Sequence, residues 1–219
     1  MLDSIASTIL FGFLQLGKPS FEVRPTVLSS HQMSLDNRYP VESVNEVFKD
    51  NILLTLNYMN NSVPTKSESA DKGLIDWEKV KTSGQYELTL APNETFAFHD
   101  NLLPQFVGKV SKTTNAHFNG SEKFKSDGYL MGDGVCHLAS ILKWAAADAG
   151  LDVLAPTRHD FANIPEVPRD QGVSIYSMPG QGGNSALQNL YITNNKDKTI
   201  RFIFDYKDSV LTVSTVELS

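Results

Sequence analysis

Apolar residues recur along the chain at two spacings, and each spacing marks a different backbone. From Val41 to Asn60 they fall at Val44, Val47, Phe48, Ile52, Leu53 and Leu56. Steps of three and four put them on one side of a helix. From Cys136 to Ala149, Leu138, Ile141, Leu142, Ala145, Ala146 and Ala149 form one apolar face, and Gly150 follows as a natural helix stop. A further helix is read over residues 1–17, closed by Gly17, Lys18 and Pro19.

The second spacing is two. Tyr86 to Leu90 alternates as a strand does, then Ala91 to Glu94 makes a turn, and Phe96 and Phe98 resume the alternation. Strands are also expected at Leu151–Leu154, Val173–Tyr176, Leu187–Thr193, Thr199–Asp205 and Ser209–Val216, and a short strand or extended arm at Phe21–Leu28. Asn194 to Asp197 reads as a hairpin-like turn, His31 to Tyr39 as a polar connection, and residues 60–73 as a loop. No internal repeat is present. The pattern predicts an α+β fold in which a cysteine-bearing helix packs on a mainly antiparallel sheet. Residues 1–44 form an N-terminal helix and extended arm, and residues 45–219 the main domain.

Composition narrows the possible partners. Hydrophobic residues make up 41% of the 219, enough for a packed core. The net charge is −6 and no segment carries a basic stripe, which argues against nucleic acid as a ligand. The single cysteine excludes an intrachain disulfide and multi-thiolate zinc sites. Ile5 to Leu16 is nearly all apolar or small but too short to span a bilayer, and no Lys or Arg precedes it. Two readings stay open for it: a buried or amphipathic helix, or the remnant of an export signal or anchor that holds the protein near a membrane.

The chemistry centres on Cys136. Gly134-Val135-Cys136 sits where loop becomes helix, and a thiol there feels the positive end of the helix dipole, which favours thiolate. Gly132 and Gly134 would let a substrate backbone approach. His159 follows after the next predicted strand and is the candidate base, with Asp170 as its orienting group and Asp160 as a rival. His137 adjoins the cysteine in sequence but faces away from it on a helix, so its expected role, with Gly134, is to hold an oxyanion or line the pocket. Each of these residues also has a plainer reading, the cysteine as a small buried hydrophobe and the polar groups as surface residues. Cys136, His137 and His159 lack metal-ligand spacing and no phosphate loop is present, so no metal and no cofactor is expected. Phe96, Phe98, Phe106 and Phe118 are read as core and groove lining.

Several segments together resemble a known family. Leu90 to Phe98 (LAPNETFAF) resembles the L-x-P-G-E-x-F-S-F segment of VanW-like proteins, with Asn93 in place of the turn glycine. Gly134-Val135-Cys136-His137-Leu138-Ala139-Ser140 resembles their G-G-G-V-C-Q-x-S stretch, with Asp133 for a glycine and His137 for the glutamine. Ala149-Gly150-Leu151 with Arg158-His159, then Pro168-Arg169-Asp170, then Leu190 to Asn194, continue the likeness in order. It covers roughly residues 45–210, and residues 60–85 look like an insertion. The resemblance implies a bacterial cell-envelope protein linked to vancomycin-resistance gene clusters; a peptide or peptidoglycan-like ligand is the expectation of both functional readings that follow.

Two functional expectations follow. One is a cysteine-dependent acyl transferase or amide hydrolase, built on the Cys-His-Asp order of transglutaminase- and papain-like sites. The other is a non-catalytic envelope module that binds wall peptides or partner proteins in the same cleft.

Overall fold

The computed structural model describes residues 25–63, 75–128, 132–177 and 182–219. The helix expected over residues 1–17 and most of the loop expected at 60–73 lie outside these residues. The chain is α+β, with four helices and two four-stranded sheets among the described residues.

The first sheet is wholly antiparallel. Its strands are β1 (Thr26–Ser34), β2 (Gly84–Leu90), β7 (Ile200–Lys207) and β8 (Val210–Glu217), in the order β1-β8-β7-β2. In β7 the alternation is strict: Ile200, Phe202, Phe204 and Tyr206 are buried, and the residues between them face outward. Asp208 and Ser209 join β7 to β8 with φ of 51° and 60°. Two consecutive left-handed residues give a turn whose twist matches that of the flanking strands.

The second sheet holds β3 (Thr95–Ala97), β4 (Val110–Lys112), β5 (Asp152–Leu154) and β6 (Tyr191–Thr193), in the order β4-β3-β6-β5. Only β3 and β4 run parallel. Asn93 takes φ 64° in the turn before β3, which Asn tolerates better than most residues.

Helix α1 (Glu42–Met59) is the centre of the core rather than a one-faced surface helix. Every residue from Asp50 to Met59 is buried. Its buried polar groups are accordingly partnered: Thr55 Oγ1 donates to Asn51 O at 2.8 Å and Asn57 Nδ2 to Leu53 O at 2.9 Å. Asn51 reaches outward. Its Nδ2 donates to Lys125 O at 3.0 Å and Asp133 O at 2.8 Å, and its Oδ1 accepts from Lys125 N at 2.8 Å. Helix α2 (Trp77–Lys81) is short and capped by the Asp76 side chain.

Helix α3 (Val135–Asp148) carries Cys136 and packs on β1, β8 and α1. Ser29 Oγ and Thr215 Oγ1 both donate to Ala145 O, at 2.6 and 3.2 Å. At the far end of the helix, the His31 ring stacks on Trp144 at 3.5 Å between centroids, and His31 Nε2 lies 2.9 Å from Asp148. Gly150 follows with φ 71°, as a helix stop should.

Four expectations need correcting. His31 to Ser34 belong to β1 and are not a connection; tertiary pairing with β8 makes a strand of a segment too polar to look like one. Val173–Tyr176 is extended and mostly buried but joins neither sheet. Val173 N is satisfied by Ser140 Oγ and Ile175 N by Cys136 Sγ, while Ser174 N and Tyr176 N donate to Thr157 O and Gln188 O. Its backbone is thus paired with side chains of α3 and with isolated carbonyls instead of a ladder. Finally, Leu187–Thr193 divides into the end of α4 (Gly182–Leu187) and the short β6. Asn194–Asp197 then crosses from one sheet to the other, so it closes no hairpin. Asn194 holds that crossing by donating to Leu90 O at 3.0 Å and Lys198 O at 2.8 Å.

The His117 ring bridges two acids, with Nδ1 2.8 Å from Glu122 and Nε2 3.0 Å from Asp100. The hydrogen bond to Glu122, reinforced by Asp100, raises its pKa to about 9. Because the folded value lies above the unfolded value of about 6.5, the contact stabilises fully below that lower pH and fades as pH rises through about 9. Urea unfolding of wild type and His117→Gln should therefore differ most near neutral and slightly acid pH, with the gap closing in alkali.

Candidate functional site

Gly134 opens the site. It caps α3 in a left-handed conformation (φ 97°, ψ −22°), and its carbonyl accepts from the N–H groups of His137 and Leu138 at 3.0 and 3.2 Å. A Cβ there would lie 2.6 Å from Phe48 O and 2.9 Å from Phe48 Cα. Only glycine permits both the conformation and this approach to α1. The carbonyl of neighbouring Asp133 is tied to Asn51 on the same helix.

This contact sets α3 at the floor of a cavity of about 760 Å³. Tyr39, Phe48, Phe118 and Phe161 supply aromatic walls, and Arg38, Asp133, Cys136, His137 and His159 supply polar groups. Its size is that of a site for a small molecule or a short peptide segment.

Cys136 Sγ lies against the extended segment that follows the cleft loop. It receives the Ile175 N–H at 3.4 Å and donates to Ile175 O at 3.7 Å. Burial pushes the thiol up to about 11, aided by the nearby Asp133 carboxylate. The helix end was expected to favour thiolate; desolvation outweighs it here, because removing water penalises the charged form more than a partial dipole charge rewards it.

His159 is buried, and its Nδ1 lies 3.1 Å from Ala162 O. Burial lowers its pKa, so the imidazole is neutral at physiological pH. Phe161 packs on the ring at 3.9 Å between centroids while remaining 74% exposed at the cleft mouth. His137 is also buried, edge-on to Phe48 at 5.0 Å and to His159 at 6.1 Å. Burial, with Arg38 and His159 nearby, drops its pKa to about 3. Its Nδ1 is sealed from solvent and has no hydrogen-bond partner among the described residues.

The structure thus brings Cys136, His137, His159 and Gly134 to one cleft. Asp170 stands elsewhere, in a single turn of 3-10 helix at Arg169–Gln171. Its carboxylate accepts from Gln171 Nε2 at 3.0 Å and its carbonyl from Lys143 Nζ at 2.8 Å, and the group that orients His159 is the Ala162 carbonyl. Among the described residues, no three His, Cys, Asp or Glu side chains are grouped to hold a metal.

Sequence reasoning missed several wall residues, Arg38 and Phe48 among them. Arg38 is fully buried. It donates through Nε to Ser34 O at 2.6 Å and through Nη1 to Pro165 O at 3.2 Å, and pairs with Glu166. Phe48 was read as one more apolar helix position. Neither carries a local signal, because both become wall residues only when distant segments meet. Phe118, expected as groove lining, does line the cleft, whereas Phe96 and Phe98 are core.

A family model described as VanW like protein matches residues 81–216, more than half of the chain and including all of α3 and the loops bearing His159 and Ile175. The chain belongs to the VanW-like family. That membership carries the family's association with vancomycin resistance. No curated protein and no solved structure matches the chain. Arg38, Tyr39 and Phe48 precede the matched segment, so part of the cleft wall comes from outside it.

Gly134→Ala should cost about 3 kcal/mol of stability, from the left-handed backbone and the clash with Phe48 together. Thermal unfolding would show it as a lowered Tm.

Proposed function

We propose that this protein is a cell-envelope module that binds a segment of wall peptide in the Cys136–His137–His159 cleft without cleaving it. The observation that carries this reading is the environment of Cys136. Both hydrogen-bonding capacities of its Sγ are taken by the Ile175 backbone, and no imidazole is hydrogen-bonded to it. A half-buried thiol whose pKa is raised by desolvation and whose sulfur is tied to a backbone peptide group is a poor nucleophile. The cleft walls are aromatic and its dimensions suit a short extended peptide. The envelope setting rests on the family's association with it.

One observation favours a second reading, a cysteine-dependent acyl transferase of transglutaminase or papain type acting on the same peptides. His159 is neutral, lines the same cleft as the thiol, and keeps one ring nitrogen free to take a proton. In that chemistry Cys136 would attack the amide carbonyl, His159 would receive the thiol proton and pass it to the leaving amine, and Asp170 would have to move to orient the ring.

Alkylation of Cys136 by iodoacetamide, followed from about pH 6 to about pH 11 in wild type and His159→Ala, separates the two. It should be paired with calorimetry of synthetic stem peptides. The binding reading expects a thiol that titrates above the free value of about 8.5, is indifferent to His159→Ala, and accompanies peptide binding without turnover. A thiol titrating below that value, with the shift abolished in His159→Ala and peptide consumed, establishes the enzyme instead.

A further inference from the structure

The hydrogen-bonding states of the two cleft imidazoles can be read from their surroundings, and they are opposite. A carbonyl oxygen only accepts, so His159 Nδ1, 3.1 Å from Ala162 O, must carry the ring proton. In a neutral ring this leaves Nε2 as a bare acceptor. His137 is constrained from the other side. Its Nδ1 is buried without a partner among the described residues. An orphaned N–H is rarer and costlier than an orphaned lone pair, so the proton sits on Nε2. One ring therefore offers a donor and the other an acceptor.

The two rings stand almost perpendicular, at 84°, with centroids 6.1 Å apart. The charged groups on the same wall are already engaged. Arg38 is paired with Glu166, and Asp133 Oδ2 accepts the Asp127 N–H at 3.1 Å. The Cys136 thiol is occupied by Ile175. The part of a ligand that reaches this floor must then be uncharged, with an acceptor and a donor side by side. A primary carboxamide carries its oxygen and one N–H on the same edge, about 2–3 Å apart, whereas a trans peptide group points them to opposite sides. Two ring nitrogens, each about 2.9 Å from its partner, can flank such a group at the observed ring spacing.

We propose that the cleft floor is a carboxamide-reading subsite, in which His137 donates Nε2–H to the oxygen of a primary carboxamide on the ligand peptide and His159 accepts one of that group's N–H hydrogens at Nε2. The subsite deepens the peptide-binding reading and rests on it. It also assigns His137, which stands where the family usually carries glutamine, a specificity role that does not depend on Cys136 chemistry. A carboxylate would meet the His159 lone pair and be repelled. An ester lacks the N–H that His159 accepts, and leaves a buried acceptor unpaired.

The test has two arms. Long-range proton–nitrogen NMR of the histidine rings at neutral pH should find His159 protonated at Nδ1 and His137 at Nε2. Finding either ring in the opposite tautomer, or charged, overturns the inference whether or not a ligand is known. The second arm compares N-acetyl-alaninamide, which ends in a primary carboxamide, with N-acetyl-alanine methyl ester, which does not, by titration calorimetry. The amide should bind about tenfold or more tightly. His159→Phe should reduce that ratio to about one, whereas His137→Phe should weaken both probes equally and leave the ratio standing. If intact stem peptides bind but the amide and ester bind alike, or neither small probe binds, the carboxamide subsite is wrong while the peptide-binding function survives. If stem peptides fail to bind as well, both fall.

Discussion

The site depends on one close approach, the backbone of Gly134 against the backbone of Phe48. No side chain separates α3 from α1 at that point, and a single methyl group would have nowhere to go. Asn51, one turn along α1, fixes the same loop through the carbonyls of Lys125 and Asp133. Helix α1 can play this part because it is buried on all sides over its second half and so cannot shift without disturbing the whole core. The floor of the cleft is consequently a rigid corner where two buried helices meet, although its mouth is lined by loops.

That rigidity decides the electrostatics. The groups that would activate a cysteine are near Cys136: a helix start and two imidazoles. They are held where water is scarce and neutral forms are cheapest, so the thiol stays protonated and both imidazoles stay uncharged. A helix terminus alone is therefore a poor guide to reactivity. What matters is whether the thiol has solvent or a charged partner to exchange with, and here it has the Ile175 peptide group.

The legible parts of the sequence were those whose pattern answers to local geometry. The Cys136–Ala149 helix announced itself by one continuous apolar face, β7 by strict alternation, and β8 by alternation up to Thr215, where two buried residues follow each other. Asn93 in a left-handed turn was legible for the same reason. Edge strand β1 was legible only at its start, where the extended arm expected at Phe21–Leu28 overlaps it from Thr26 to Leu28; the rest is polar, and only β8 makes it a strand. Val173–Tyr176 has a strand's alternation, but its partners are side chains of α3, which no local pattern encodes. In the site, the order of Cys136 and His159 placed both in one cleft. The His159–Asp170 pairing expected from that order is absent, since a backbone carbonyl three residues away already occupies the ring nitrogen. Arg38 and Phe48 were invisible because their role comes from long-range contact with the loops after α3.

The first sheet also constrains how the chain assembles. The β7–β8 pair is local and can zip from its own tight turn, yet β8 must also receive β1, whose Thr26 lies opposite Glu217 and whose Ser34 lies opposite Val210. Pairing residues so far apart in sequence imposes a large loop-closure entropy before any hydrogen bond repays it. Helix α3, clamped to both β1 and β8 through Ala145, acquires its final seat only when that last strand arrives. The cleft is thus complete only once β8 is seated, and a chain lacking that strand would leave part of α3's apolar face uncovered.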